Sequence, residues 1–105
     1  MVKIVWSEKS KNDLKSIFDF ISQNSIFFAK KTRSDLIKRT QILKDYPNIG
    51  RIVPEFGLNH IRELIYGNYR IIYKTNVNNF NLIEIVTIWH ASVDLNSSNR
   101  KQDIF

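Results

Sequence analysis

A stripe of apolar residues at helical spacing lies between Glu8 and about Gln23. Its members recur three or four residues apart, which places them on one face of an α-helix. Ser7 precedes the stripe and belongs to the residue types that cap helix N-termini. The pattern predicts an amphipathic helix over this segment. The apolar positions are Leu14, Ile17, Phe18 and Ile21.

A second apolar stripe runs from about Ile26 to Asp45 and predicts another helix, for which Ser25 is a suitable N-cap. Tyr46-Pro47 is expected to end it, because proline disfavours the helical conformation of the residue before it. The stripe consists of Ala29, Leu36, Ile37, Thr40 and Leu43.

Short runs rich in β-branched and aromatic residues predict strands in the rest of the chain. Gly67-Asn68 separates two of these runs, and both residues tolerate the positive φ angles that a tight hairpin turn needs. A further turn is expected at Asn76–Asn79. The predicted strands are Val2–Trp6, His60–Tyr66, Tyr69–Thr75 and Phe80–Trp89.

Strict alternation along the last predicted strand gives it two largely apolar faces. The sequence leaves two explanations open for the face that the helices do not cover. Either a partner covers part of it, or the strands are buried on both faces within the chain. One face would carry Leu82, Glu84, Val86 and Ile88, and the other Ile83, Ile85, Thr87 and Trp89.

The order strand, two helices, three strands predicts an α+β fold. We expect a helical hairpin on one face of an antiparallel sheet whose last three strands form a meander. A chain of 105 residues is the size of one domain, and we assign 1–105 to a single domain with a frayed polar tail from about 96 to 105.

A net charge of +6 favours a polyanionic partner, although an idle basic surface is the plain alternative. Much of the excess lies between Lys30 and Arg51, where the only acidic residues are Asp35 and Asp45. This run is either the solvated face of a helix or a contact for a phosphate backbone. Its basic residues are Lys30, Lys31, Arg33, Lys38, Arg39, Lys44 and Arg51.

The chain has no cysteine, which excludes disulfides and thiolate chemistry. It also lacks the apolar segment of a signal peptide and any run of about 20 apolar residues that would cross a bilayer. We therefore expect a soluble cytoplasmic protein with no membrane partner.

No metal-spaced aspartates, phosphate-binding glycine loop or serine triad is visible in the sequence, so we expect no metal and no cofactor. RNA can be cut without a metal if a base, a cation and an acid surround the reacting phosphate. Glu55, Arg70 and His90 have the chemical types for these three roles. Each also has an ordinary structural explanation; Arg70, for example, could pair across strands with an acidic neighbour such as Glu84.

Three segments, GRIVPE, IRELIYGNYRIIY and IEIVTIWH, follow an N-terminal VWSEKSKNDLKSI. In this order they resemble the RelE/ParE superfamily of bacterial type II toxins, the plasmid-stabilisation proteins, from Val2 to about Leu95. The resemblance implies the α+β fold, a growth-arresting toxin and a small cognate antitoxin that wraps it. It also implies contact with operator DNA only through the antitoxin complex.

The superfamily contains mRNA endonucleases of the RelE type, which act in the ribosome, and ParE-type poisons of DNA gyrase. Tyr69-Arg70, Pro54-Glu55 and His90 match the site of YoeB-like nucleases. The sequence departs from RelE at the positions of its two catalytic lysines and just beyond the terminal histidine, and Asp94-Leu95 resembles ParE. The residues at the departing positions are Ile61, Glu63, Ala91 and Ser92.

These features favour a ParE-like gyrase poison. The alternative is a ribosome-dependent, metal-independent endoribonuclease with Glu55 as base, Arg70 on the phosphate and His90 as acid. An inactive relative that only binds an antitoxin is a third possibility. We expect partner contacts at Arg51, Arg62, Tyr69, Tyr73 and Trp89.

Overall fold

The structure, a computed structural model that describes residues 2–75 and 81–90, contains two helices and five strands. It confirms the predicted α+β fold, with a strand and a helical hairpin before the hairpin-connected strands. The predicted turn at Asn76–Asn79 and the predicted tail from 96 to 105 lie outside the described residues. The elements are β1 (Lys3–Trp6), α1 (Glu8–Ser22), α2 (Ile26–Gln41), β2 (Arg51–Ile52), β3 (Ile61–Tyr66), β4 (Tyr69–Thr75) and β5 (Leu82–His90).

Both predicted helix caps are present. The side chain of Ser7 accepts a hydrogen bond from the backbone N–H of Ser10 at 3.0 Å, and Ser25 accepts one from Phe28 at 3.1 Å. The predicted end of α2 at Asp45 is wrong by four residues, because the α-helix tightens into a 3-10 helix over Ile42–Lys44. Such a tightened last turn is common at helix ends.

The five strands form one sheet in the order β1-β5-β4-β3-β2. β1 pairs in parallel with β5 and the other pairs are antiparallel, so the sheet is mixed and not purely antiparallel. The tight turn between β3 and β4 has a positive φ of 55° at Gly67 only. β2 was not predicted, since two residues are too short to show an alternating pattern.

A β-bulge interrupts the alternation of β5. Ile72 lies opposite Thr87 and Tyr73 lies opposite Ile85, which leaves Val86 as an extra residue. An extra residue exchanges the faces of all side chains beyond it. The predicted grouping of Trp89 with Ile83 and Ile85 is therefore wrong.

The N-cap of α1, Ser7, and Asp13 in its second turn bind the strand around this bulge. The Ser7 hydroxyl donates to the carbonyl oxygen of Val86 at 2.8 Å. One carboxylate oxygen of Asp13 accepts from the Ile88 N–H at 3.1 Å and from the Thr87 hydroxyl at 2.5 Å. These contacts satisfy backbone groups where the strand pairing is irregular.

The sheet separates two apolar clusters. One lies under the helices, and the other is completed by Val53 and half-buried Phe56 from the connection between β2 and β3. The second cluster is buried within the chain, so a sheet buried on both faces accounts for these residues. The first cluster comprises Leu36, Leu43, Leu64, Ile71, Tyr73, Ile83 and Ile85, and the second Val53, Ile61, Ile72, Val86 and Trp89.

Within residues 2–75 and 81–90, neither helix has the length and apolar character needed to cross a membrane.

Candidate functional site

Two arginines and two glutamates meet on the sheet face opposite the helices. Glu63 on β3 lies opposite Ile72 on β4, and Arg70 precedes Ile72 by two residues, so Glu63 and Arg70 are diagonal neighbours on one face. Arg51 on β2 lies directly opposite Glu63. The loop after Pro54 brings Glu55 onto the same group. We refer to Arg51, Glu55, Glu63 and Arg70 as the Arg–Glu cluster.

Arg70 is the centre of the Arg–Glu cluster. Its Nε donates to Oε1 of Glu63, and its Nη2 donates to Oε2 of Glu63 at 3.0 Å. Its two Nη atoms donate to the Glu55 carboxylate at 2.9 and 3.1 Å. Arg51 Nε donates to Oε2 of Glu63 at 2.6 Å. Two carboxylates therefore hold one guanidinium from both sides.

The cluster is graded from buried to exposed. The Glu63 side chain is 0% exposed, that of Arg70 9% and that of Glu55 21%, whereas Arg51 is 60% exposed. Buried charges must be paired to offset the loss of hydration. Arg70 and Glu63 meet that requirement by pairing with each other, and each has a second partner of opposite charge.

The same contacts set the ionisation of Glu55 and Arg70. The hydrogen bond from Arg70 lowers the pKa of Glu55 below its ordinary value, and partial burial opposes this effect. Burial lowers the pKa of Arg70, but the hydrogen bonds that it donates to Glu55 and Glu63 outweigh this effect and raise the pKa above the ordinary value. At neutral pH Glu55 is a carboxylate and Arg70 a guanidinium.

This arrangement bears on acid–base chemistry. An efficient general base has a pKa near the working pH, and the lowered pKa of Glu55 moves it away from that range. A guanidinium has five N–H donors, and Arg70 makes four hydrogen bonds to the two glutamates. Little of Arg70 remains for a phosphate in this conformation.

The structure brings Glu55 and Arg70 together but places His90 elsewhere. His90, at the end of β5, lies opposite Tyr69, and the two rings meet edge to face with centroids 5.7 Å apart. Tyr69 packs against the apolar cluster under the helices. Since successive strand residues point to opposite faces, Arg70 lies on the other side of the sheet from Tyr69 and His90.

The predicted contact residues have different surroundings. Arg62 donates to the carbonyl oxygens of Asn48, Gly50 and Asn59 at 2.9 to 3.2 Å and thereby holds the loops that flank β2. Tyr73 and Trp89 are buried in the two apolar clusters. Three residues of the predicted set reach the surface: exposed Arg51, half-buried Arg62 and half-buried Tyr69. 

Tyr73 uses its buried hydroxyl to join three segments of the chain. It donates to the carbonyl oxygen of Pro47 at 3.0 Å and accepts from the backbone N–H of Gly50 at 3.0 Å. A Cβ on Gly50 would lie 2.6 Å from this hydroxyl and 2.6 Å from the carbonyl oxygen of Glu63. Only glycine fits this close approach.

The role of Glu63 was not predicted from the sequence. The suggested partner of Arg70, Glu84, lies opposite Lys74 on β4, whereas Arg70 lies opposite Trp89. The pairing suggested for Glu84 is therefore wrong, and Glu63 and Glu55 take its place. A glutamate alternating with isoleucines on one strand face was the available signal, because a carboxylate on an apolar face requires a cationic neighbour.

No group of three histidine, aspartate or glutamate side chains within residues 2–75 and 81–90 is arranged to hold a metal ion.

Comparison with known proteins assigns the chain to a family. Residues 4–95 match the family model of the ParE toxin of the type II toxin–antitoxin system parDE. No curated protein matches the sequence. Among solved structures, the chain resembles one from the chromosomal ParDE toxin–antitoxin system of P. aeruginosa. The TM-score is 0.70 with 20% identity, and the match covers 88% of this chain and 98% of the other. That likeness supports the fold, and the match over residues 4–95 shows that the chain belongs to the ParE toxin family of type II toxin–antitoxin systems.

Proposed function

We propose that this toxin arrests growth by poisoning DNA gyrase in the cytoplasm, without cutting nucleic acid itself, and that a cognate antitoxin neutralises it. Membership of the ParE toxin family supports a toxin with an antitoxin partner. One observation carries the choice of gyrase over mRNA: the two glutamates already occupy Arg70, the residue that a nuclease would place on the phosphate.

Metal-free cleavage of RNA needs a base, a cation and an acid around the same phosphate. The acid candidate, His90, packs on Tyr69, across the sheet from Arg70. The base candidate, Glu55, has a lowered pKa because it binds Arg70. Together with the occupied guanidinium of Arg70, these two observations favour a non-enzymatic mode of action.

In a gyrase poison the Arg–Glu cluster has a structural task. Arg70 ties the loop that carries Glu55 to the middle of the sheet, and Glu63 orients Arg51. Arg51 thereby becomes an exposed cation at a fixed position on the edge strand β2. We propose that Arg51 and half-buried Tyr69 contribute contacts to the target.

The nuclease alternative has one observation in its favour. Glu55 and Arg70, two of its three catalytic candidates, are in direct contact. For this chemistry, a phosphate would have to replace a glutamate on Arg70, and His90 would have to act from the other side of the sheet. The alternative therefore requires these contacts to rearrange.

Purified gyrase and supercoiled plasmid provide the test. Wild-type toxin should cause gyrase-linked double-strand breaks, and His90→Gln should retain this activity because His90 has no chemical task in the proposal. Arg51→Ala should weaken it, whereas Lys15→Ala, which removes an exposed charge on α1, should not. If none of these proteins stabilises DNA breaks and the wild type cleaves ribosome-bound mRNA, the proposal is wrong.

A further inference from the structure

An open groove of about 610 Å³ lies between α2 and the end of β3, on the opposite side of the sheet from the Arg–Glu cluster. Five of its lining residues project from one side of α2 and the turn that follows it, and Tyr66 closes the other wall. Four of the six lining residues are charged. They are Lys31, Asp35, Lys38, Arg39, Ile42 and Tyr66.

The groove has a cationic excess, since three basic side chains and one carboxylate line it. The carboxylate is already bonded to two partners. Oδ2 of Asp35 accepts hydrogen bonds from Lys31 Nζ at 2.7 Å and from the Tyr66 hydroxyl at 2.5 Å. These two bonds lower the pKa of Asp35, so it remains an anion committed to its partners. The charges of Lys38 and Arg39 are then available to a ligand.

Arg39 extends from α2 towards β3, and its terminal nitrogens are open to such a ligand. Its Nε donates to the carbonyl oxygen of Ile65 at 3.3 Å, at the end of β3. Among residues 2–75 and 81–90, no carboxylate lies within salt-bridge distance of Arg39 or Lys38, and the terminal nitrogens of Arg39 make no hydrogen bond. A guanidinium with free terminal donors matches the geometry of a phosphate.

We propose that this groove binds the phosphate backbone of nucleic acid. Protein partners are bound through apolar and aromatic anchors, but Ile42 and Tyr66 are the two uncharged residues lining the groove, and the hydroxyl of Tyr66 is bonded to Asp35. Nucleic-acid interfaces are more polar and more positive than protein–protein interfaces, as this groove is. The net charge of +6 adds long-range attraction for the same ligand. This contact goes beyond gyrase poisoning and does not depend on it.

The test is fluorescence anisotropy with the full purified chain and two labelled DNA duplexes of unrelated sequence, over a range of salt concentrations. Lys38→Ala combined with Arg39→Ala removes two cations from the groove. Lys3→Ala combined with Lys15→Ala is the matched control, since it removes two exposed cations from β1 and α1. Thermal unfolding shows whether each variant is folded.

The groove variant should bind both duplexes more weakly, by an equal factor, and its slope of log affinity against log salt should fall by about two. The control should keep a slope closer to that of the wild type. Equal losses of DNA affinity in the two double variants would overturn the proposal, because they would show that net charge alone, and not the groove, determines binding. Tighter binding of a labelled polyglutamate than of DNA would also overturn it and would indicate an acidic protein partner.

Discussion

Arg70 and Glu63 form a buried, two-pronged ion pair across the β3–β4 hairpin, and both lie on the face of the sheet that the helices leave uncovered. The Glu63 side chain is wholly buried, and Arg70 is nearly so. The pair fixes the position of the loop that carries Glu55, since the same guanidinium binds both carboxylates. This relationship makes a structural role for Arg70 testable.

Arg70→Ala should lower the free energy of unfolding by about 3 to 5 kcal/mol, because it removes the main counterion of buried Glu63. Chemical denaturation measures the change. Combining Arg70→Met with Glu63→Leu should restore much of the loss, since apolar residues of similar volume can replace a buried ion pair. An Arg70→Ala variant as stable as wild type would show that the ion pair contributes little to the free energy of unfolding.

Gly50→Ala should destabilise the fold by about 1 to 3 kcal/mol, the usual cost of overpacking. The added methyl group would press on the Tyr73 hydroxyl and on the backbone carbonyl of Glu63. Gly57→Asn is the comparison, because Gly57 has a φ of 63° but open space around it, and asparagine tolerates that backbone conformation. A lower melting temperature for Gly57→Asn than for Gly50→Ala would contradict this explanation.

Stability should fall in acid partly through Glu55. Its pKa is lowered in the folded state, so its stabilising contribution is present above the ordinary value of 4.5 and is lost as the pH falls through the lower folded value. Denaturation curves between pH 7 and pH 3 should therefore show a weaker pH dependence for Glu55→Gln than for wild type. Parallel curves would mean that the contact with Arg70 does not favour ionised Glu55.

Asp13→Ala should cost about 1 to 3 kcal/mol, because it leaves the Ile88 N–H at the bulge without its carboxylate acceptor. Asp19→Ala is the matched control, since it removes an exposed carboxylate from the same helix and should change stability by less than about 0.5 kcal/mol. Hydrogen exchange at Ile88 should accelerate only in the Asp13 variant. Equal effects of the two substitutions would assign no special role to Asp13.

The parts of the fold that follow from local chemistry were predictable. Ser7 and Ser25 cap the helices as expected, and Gly67 makes the hairpin turn. The bulge at Val86 was not predictable, because the sequence around it continues to alternate and only pairing with β4 reveals the extra residue. Its position reversed the predicted face of Trp89.

The candidate site was predictable only in part, because its contacts depend on strand pairing and on a loop. Glu55, Arg70 and His90 could be named from their chemical types, and the contact between Glu55 and Arg70 depends on a loop that the sequence placed only roughly. Glu63 was passed over because its role arises from a diagonal neighbour across a hairpin. The position of His90 relative to Arg70 depends on strand register, which no local motif carries.

We propose that this ParE-family toxin attacks gyrase and not mRNA. The most direct measurement induces the protein in cells without an antitoxin and maps mRNA 5′ ends together with gyrase-linked DNA breaks, for wild type and for His90→Ala. The account predicts DNA breaks with intact mRNA in both cases. New mRNA ends clustered within codons, lost in His90→Ala, would contradict it and would place His90 in a ribonuclease site.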